Sequence, residues 1–313
     1  MTAVIEAEDL CKSFGEVDAL DGLSFTVDGG QVFGLLGPNG AGKTTTVRIL
    51  STLDKPDAGF GRIAGFDVVD KPHQARASAG LAGQSTTLDL KLKGRENLKL
   101  FAWLYGVPRQ AAAERSEELI DRFDMGHYID RPVETYSGGE QRRLDLAVSI
   151  VAEPPAVFLD EPTSGLDPAS RLTVWREIEH LAAAGTAVLL TTQNMDEADR
   201  LANEIMVIDR GRQVGRGSPR QLKDALKRDA LVVTFSNSGD RADASALLDG
   251  HVVSAVGDDS LHVRTERRLD SFDALAVLAA SGIEVSDFDV HKPTLDDAYL
   301  ALTGHVAPDE GAP

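Results

Sequence analysis

Short apolar runs alternate with segments of helical period along most of the chain. Val4 to Phe14, Val17 to Val27 and Gln31 to Leu36 read as strands, and Leu23-Ser-Phe-Thr-Val27 alternates apolar and polar positions as a half-buried strand does. In Thr45 to Leu50, Val47 and Leu50 fall on one helical face. Asp57-Ala-Gly-Phe-Gly-Arg62 reads as a turn, with a short strand at Gly61 to Phe66. From about Leu88 to Ala152 the pattern is helical. Glu96 to Tyr105 stops at Gly106 and Pro108, and Gln110 to Phe123 gathers Leu119, Ile120 and Phe123 on one face. Ser137 and Glu140 have capping-box spacing, so a helix begins there and continues its apolar side through Leu144, Val148 and Val151.

Ala156-Val-Phe-Leu159 has the composition of a buried strand and ends in Asp160-Glu161-Pro162. Arg171 to Ala184 reads as a helix, Thr186 to Thr191 as a strand and Asp196 to Leu201 as a short helix. Ile205 to Ile208 and Gln213-Val214 form a hairpin around Gly211. This alternation predicts an α/β domain over residues 1–225. Its sheet is mostly parallel, with a strand-rich N-terminal part and a helical subdomain inserted at about 88–152. Beyond Lys223 to Asp229 the order becomes β-α-β-β-α-β: Leu231 to Phe235, Asp243 to Leu248, Val252 to Val256, Leu261 to Arg264, Ser271 to Ala280 and Ile283 to Val290. That predicts a small α+β domain over residues 226–304. Its last helix, Pro293 to Leu302, buries Leu295, Tyr299 and Leu302, and residues 305–313 form a flexible tail.

Composition narrows the function. The 313 residues carry a formal net charge of −18, which argues against an extended basic surface and against a nucleic-acid partner. Cys11 is the single cysteine, so no intrachain disulfide forms. The acidic N-terminus does not read as a secretory signal, and no apolar run approaches the roughly 18 residues of a membrane-spanning helix.

The chemistry centres on Gly37-Pro-Asn-Gly-Ala-Gly-Lys-Thr44, which has the form G-x-x-x-x-G-K-[ST] between a strand and a helix. Its glycines let backbone amides converge on phosphate oxygens, and the following helix adds the positive end of its dipole. Lys43 is placed for the β- and γ-phosphates, and the Thr44 hydroxyl for Mg²⁺. Asp160 and Glu161 close an apolar strand more than 100 residues later. Asp160 can hold Mg²⁺, and Glu161 can polarise a water against the γ-phosphate. Ser137-Gly138-Gly139 before a helix offers a second anion-binding surface. One nucleotide does not need both surfaces in one chain, but two chains head to tail could share each nucleotide.

Over about residues 4 to 222 these motifs together resemble the ATP-binding subunits of ABC transporters. Gly37, Pro38, Asn39, Gly40, Ala41, Gly42, Lys43 and Thr44 match the Walker A motif, with Thr45 following. Ser137, Gly138 and Gly139 match the family signature, whose first and last positions Tyr136 and Glu140 vary. Asp160 and Glu161 match the Walker B aspartate and catalytic glutamate, and Ser164-Gly-Leu-Asp167 the D-loop. Gln84 falls where the family's Q-loop glutamine reaches toward Mg²⁺ and the permease, and Phe14 where an aromatic stacks on adenine. The family's switch histidine is replaced by Gln193, whose amide can donate to the γ-phosphate but cannot titrate near neutral pH. A narrower resemblance joins the chain to ATPases of the daunorubicin-resistance type, which also tend to place glutamine at the switch and end in a segment similar to Lys292 to Gly304.

The resemblance implies a P-loop ABC ATPase core that hydrolyses MgATP as a homodimer with two shared sites. It would power export of a drug-like or hydrophobic compound through a separate transmembrane permease, from the cytoplasmic face of the membrane as a peripheral subunit. Non-transport ABC ATPases of DNA repair or ribosomes fit less well. The interval between Walker A and the signature holds no long coiled coil, the chain has one nucleotide domain, and its charge disfavours RNA. A P-loop kinase has no need of the signature. An ATP-binding regulator without turnover is disfavoured by the intact Glu161.

Overall fold

The computed structural model describes residues 3–83, 87–226, 229–236, 238–248, 252–256, 260–265, 268–291 and 293–304. The chain divides into two compact units, Met1–Pro219 and Arg220–Pro313. The first unit begins with β1 (Ala3–Phe14), β2 (Val17–Asp28), β3 (Val32–Leu36), α1 (Lys43–Leu50), β4 (Ala58–Ile63), β5 (Phe66–Asp67), α2 (Pro72–Ala77) and β6 (Ala79–Ala82). The helical stretch follows as α3 (Gly94–Leu104), α4 (Arg109–Arg122) and α5 (Gly138–Ser149). Then come β7 (Ala156–Asp160), α6 (Pro168–Ala183), β8 (Ala187–Thr192), α7 (Met195–Leu201), β9 (Glu204–Asp209) and β10 (Arg212–Gly217). Helix α8 (Pro219–Ala225) spans the division between the units.

Two sheets form this unit. One is antiparallel, in the order β2-β1-β4-β5. The other runs β10-β9-β3-β8-β7-β6 and is parallel except for β10. Strands β3, β7 and β8 are buried at every position, because both faces of their sheet are covered. Val157, Leu159, Val188 and Leu190 pack with Leu98, Leu119, Leu144 and Ile178 of the helices. The alternate residues Ala156, Phe158, Ala187 and Leu189 pack with Ile5, Phe25 and Val47 on the side of the antiparallel sheet and α1. Phe25 and Phe33 stack there with ring centroids 4.9 Å apart.

The stretch read as a turn at Asp57 to Arg62 is instead mostly β4, paired with β1. Its glycines answer to packing: Gly59 has φ +77° against the Asp9 backbone, and a Cβ at Gly61 would lie 2.7 Å from Leu50 Cδ2. Helix α6 begins earlier than expected, at Pro168, because Asp167 caps it. The short elements α2, β6 and α8 carry too few periodic positions to stand out in the sequence.

The second unit follows the expected order: β11 (Asp229–Phe235), α9 (Ser238–Leu247), β12 (Val252–Val256), β13 (Ser260–Thr265), α10 (Arg268–Ala280) and β14 (Val285–His291). The sheet order is β12-β13-β11-β14, all pairs antiparallel. Leu231, Val233, Phe235, Ala244, Leu261, Val263 and Leu278 form its core. Helix α11 (Leu295–Thr303) buries Leu295 and Ala298, while Leu302 stands 37% exposed instead of joining them. The expected tail at 305–313 lies outside the described residues, as does Lys292. Among the described residues, no helix is long and apolar enough to cross a membrane.

Candidate active site

Parallel register gathers the functional side chains. Leu36 pairs with Thr192 and Asp160 with Thr191, so the chain leaves β3, β7 and β8 at the same carboxyl edge, where doubly wound sheets bind ligands. Beyond β3 the chain turns through Gly37 to Gly42. Gly42 has φ +109°, and a side chain there would run into the Ala19 carbonyl. Helix α1 then opens at Lys43 with its first-turn amides lacking intrahelical acceptors. The loop borders a cleft of about 370 Å³ lined by Ala19, Pro38, Asn39, Gly40, Gly42, Lys43, Thr44, Thr45 and Glu161.

Lys43 is 5% exposed. Its ammonium donates to the carbonyls of Gly37 (2.7 Å) and Pro38 (3.1 Å) and lies 3.9 Å from the Glu161 carboxylate. Burial pulls its pKa down, opposed by Glu161 and Asp160. Asp160 is buried, and its carboxylate accepts from the hydroxyls of Thr44 (3.4 Å) and Thr191. A buried carboxylate beside the hydroxyl of Thr44, a residue that borders the cleft, suits Mg²⁺, which takes few protein oxygens and completes its shell with phosphate and water. Glu161 has φ +49°, in the left-handed region that a non-glycine residue rarely adopts.

Of the remaining expected residues, Gln193 and Gly138 each share a hollow with Glu161. Gln193 is exposed and lines a hollow of about 180 Å³ with Glu161, Thr163, Ser164, Arg171 and Asn194. Phe14 is 52% exposed at the end of β1, with Lys12 Nζ 5.4 Å from its ring centroid, so it is not a core residue. Ser137 caps α5 through the expected capping box: its hydroxyl accepts from the Glu140 amide (3.2 Å), and its own amide donates to the Glu140 carboxylate (2.7 Å). Gly138 faces a cavity of about 640 Å³ that it shares with Gln141, Arg142, Asp145, Glu161 and Leu166. A Cβ at Gly139 would lie 3.2 Å from Ser170 Oγ. Asp167 caps α6, accepting from the amides of Ala169 and Ser170 and from the Ser170 hydroxyl, which holds its carboxyl below the usual range. Gln84 lies outside the described residues.

Several contributors were not found in the sequence. Thr191 holds the Asp160 carboxylate. Glu197, fully buried, accepts from the Thr163 hydroxyl (2.7 Å) and the Trp175 indole (3.0 Å), tying the segment after β7 to α6 and α7. Arg142 and Asp145 point inward from α5. Their three-residue spacing on a helix with an apolar side was the available signal.

A family model described as ABC transporter matches residues 20–164. The daunorubicin/doxorubicin resistance ATP-binding protein of Streptomyces peucetius is 44% identical over 98% of this chain and 94% of its own length. The Nod factor export ATP-binding protein I of Cupriavidus metallidurans is 39% identical over 97% of this chain and 98% of its own. Among solved structures, an ATP-binding subunit of an ABC transporter superposes with a TM-score of 0.67 at 26% identity, covering 71% of this chain and 93% of that one. Phosphate loop, Walker B carboxylates, signature turn and near full-length relatives converge: the chain belongs to the ATP-hydrolysing, ATP-binding proteins of ABC transporters, in the group that holds the daunorubicin-resistance ATPases.

Proposed function

We propose that two copies of this chain bind MgATP at two shared sites and drive a separate membrane permease that exports a drug-like or hydrophobic compound. The observation that carries the catalytic part is the Glu161 carboxylate, 3.9 Å from the Lys43 ammonium in the cleft of the phosphate loop. Loop amides and Lys43 hold the β- and γ-phosphates. Glu161 accepts the proton of the attacking water, and Gln193 donates its amide N–H to the γ-phosphate. Thr44 and Asp160 would hold Mg²⁺, which supplies charge neutralisation when bound. Ser137, Gly138 and Gly139 of the second copy close the site from the other side. Positioning and preorganised donors are most of what phosphoryl transfer requires. Phe14, exposed on β1, offers a face for adenine, and Gln84 and Asp167 complete the expected set. Export and the cargo class are supported by relatives named for drug resistance and Nod factor export. A place at the cytoplasmic face of the membrane follows from the permease.

The test is a pull-down of tagged Glu161→Gln protein from its native membrane with MgATP present. The substitution removes the base and holds the closed pair. A multi-span membrane protein at near-equal amount is the expected companion. Ribosomal or DNA-processing proteins without a membrane partner would overturn the exporter reading.

A further inference from the structure

Arg142 sits in the second turn of α5, yet its side chain enters the interior and is 14% exposed. Its guanidinium meets three main-chain carbonyls. It donates to Asp160 (2.9 Å) and Pro162 (2.9 Å), and also to Gly83. The first two carbonyls belong to the residues on either side of Glu161. Gly83 follows β6 and directly precedes residue 84. One turn along α5, the Asp145 carboxylate lies 3.5 Å from the Arg142 guanidinium and accepts from the Thr87 amide (3.4 Å) and hydroxyl (3.3 Å). One stretch of α5 therefore grips both neighbours of Glu161 and both residues that flank 84–86.

A planar guanidinium suits this task. Its five N–H donors form a rigid fork, so several carbonyls are held in fixed relation to one another, which a lysine ammonium on a flexible stem does not do. The grip bears on the one place where β7 ends in a left-handed, non-glycine backbone. We infer that Arg142 is a positioning residue for Glu161, fixing the peptide groups around it and tying the aim of its carboxylate to the helix that begins at Ser137. This rests on Glu161 being the base. Its consequence is that any shift of α5, when its first turn meets the nucleotide of a second copy, is carried to Glu161 in its own site.

The test uses the full chain in excess over MgATP, so that single turnovers are read, with ATP affinity and thermal midpoint measured on the same preparations. Arg142→Ala is expected to slow turnover on the order of 10- to 100-fold, the scale of a small misplacement of a reacting group, with ATP affinity unchanged. Arg142→Lys is expected to stay slow, because it keeps the charge and loses the fork. Added methylguanidinium should restore part of the Arg142→Ala rate. In a Glu161→Gln background, Arg142→Ala should cost nothing further. A parental rate in Arg142→Ala, or losses that multiply in full in the double variant, overturns the inference. So does a loss of ATP affinity that tracks the thermal midpoint. Should Arg142→Ala not fold, Arg142→Lys carries the test: parental affinity with slowed turnover is expected, and parental turnover overturns the inference. If Glu161→Gln alone turns over at the parental rate, the assignment of the base has failed instead.

Discussion

Thr191 holds both Asp160 and Glu161: its hydroxyl donates to the Asp160 side chain, and its carbonyl accepts the main-chain N–H of Glu161 at 3.0 Å. Thr191→Val keeps shape and carbonyl but leaves the buried Asp160 carboxylate short of one donor. The expected cost is about 1–3 kcal/mol. Denaturation of the nucleotide-free protein measures it.

Glu161 and Gln193 share the rim of one hollow but differ in chemistry. Glu161→Gln should slow single-turnover hydrolysis by about 10²- to 10⁴-fold, the span of a general base, while ATP binding persists. Gln193→Ala should cost less, because only an amide hydrogen bond is lost. Equal losses would show that proton transfer does not rest on Glu161 alone.

Gly42→Ala places a Cβ against the Ala19 carbonyl at φ +109°. The backbone conformation alone costs about 1–3 kcal/mol, and the clash adds to it. The expected outcome is a lower thermal midpoint together with weakened nucleotide binding. Gly138→Ala makes a contrast, since no atom lies within 4 Å of its added Cβ. It should leave folding of the isolated chain intact.

Glu177 of α6 is 3% exposed and accepts two hydrogen bonds from Arg122 of α4, at 2.7 and 3.1 Å. Arg122 also pairs with Glu118. Glu177→Ala removes two charge-assisted hydrogen bonds between α4 and α6 and leaves Arg122 only its pairing with Glu118, which should destabilise the first unit by about 1–3 kcal/mol. Chemical denaturation followed by a tryptophan probe in α6, Trp175, reads this loss.

Tyr136 is buried against Tyr128, its hydroxyl donating to the Tyr128 carbonyl at 3.0 Å, and burial raises its pKa to about 12. An unfolded tyrosine titrates at 10.0. Between these values the folded state keeps a proton that the unfolded state releases. This contribution to stability is therefore complete below pH 10 and lost as pH rises toward 12. Tyr136→Phe should lose about 1 kcal/mol at neutral pH and show a shallower decline on the alkaline side. Stability curves from pH 8 to about 12 compare the two proteins.

Much of this was legible in the sequence because the nucleotide cleft is built from local motifs. The phosphate loop needs a strand, glycines and a helix in immediate succession, and the capping box at Ser137 needs only four residues. The C-terminal β-α-β-β-α-β order was readable for the same reason, since each element carries its own period. What stayed hidden depends on partners far along the chain. The glycines of β4 read as a turn until β1 is seen beside them. Arg142 looks like one more charge on a helix until Gly83, Asp160 and Pro162 are brought under it. Asp167 reads as a D-loop residue, and only the start of α6 at Pro168 shows that its carboxylate also caps a helix.

The signature turn has a directional character. The oxygen of Ser137 already accepts from the Glu140 amide, and the Ser137 amide already gives its hydrogen to the Glu140 carboxylate. The hydroxyl hydrogen and the amides at the head of α5 remain as donors, because the cap spends only one of those amides, that of Glu140. An oxyanion is the partner such donors suit. A residue that caps with its oxygen leaves its hydroxyl hydrogen unspent, so the same serine that ends the helix ladder adds one more donor to the positive end of α5.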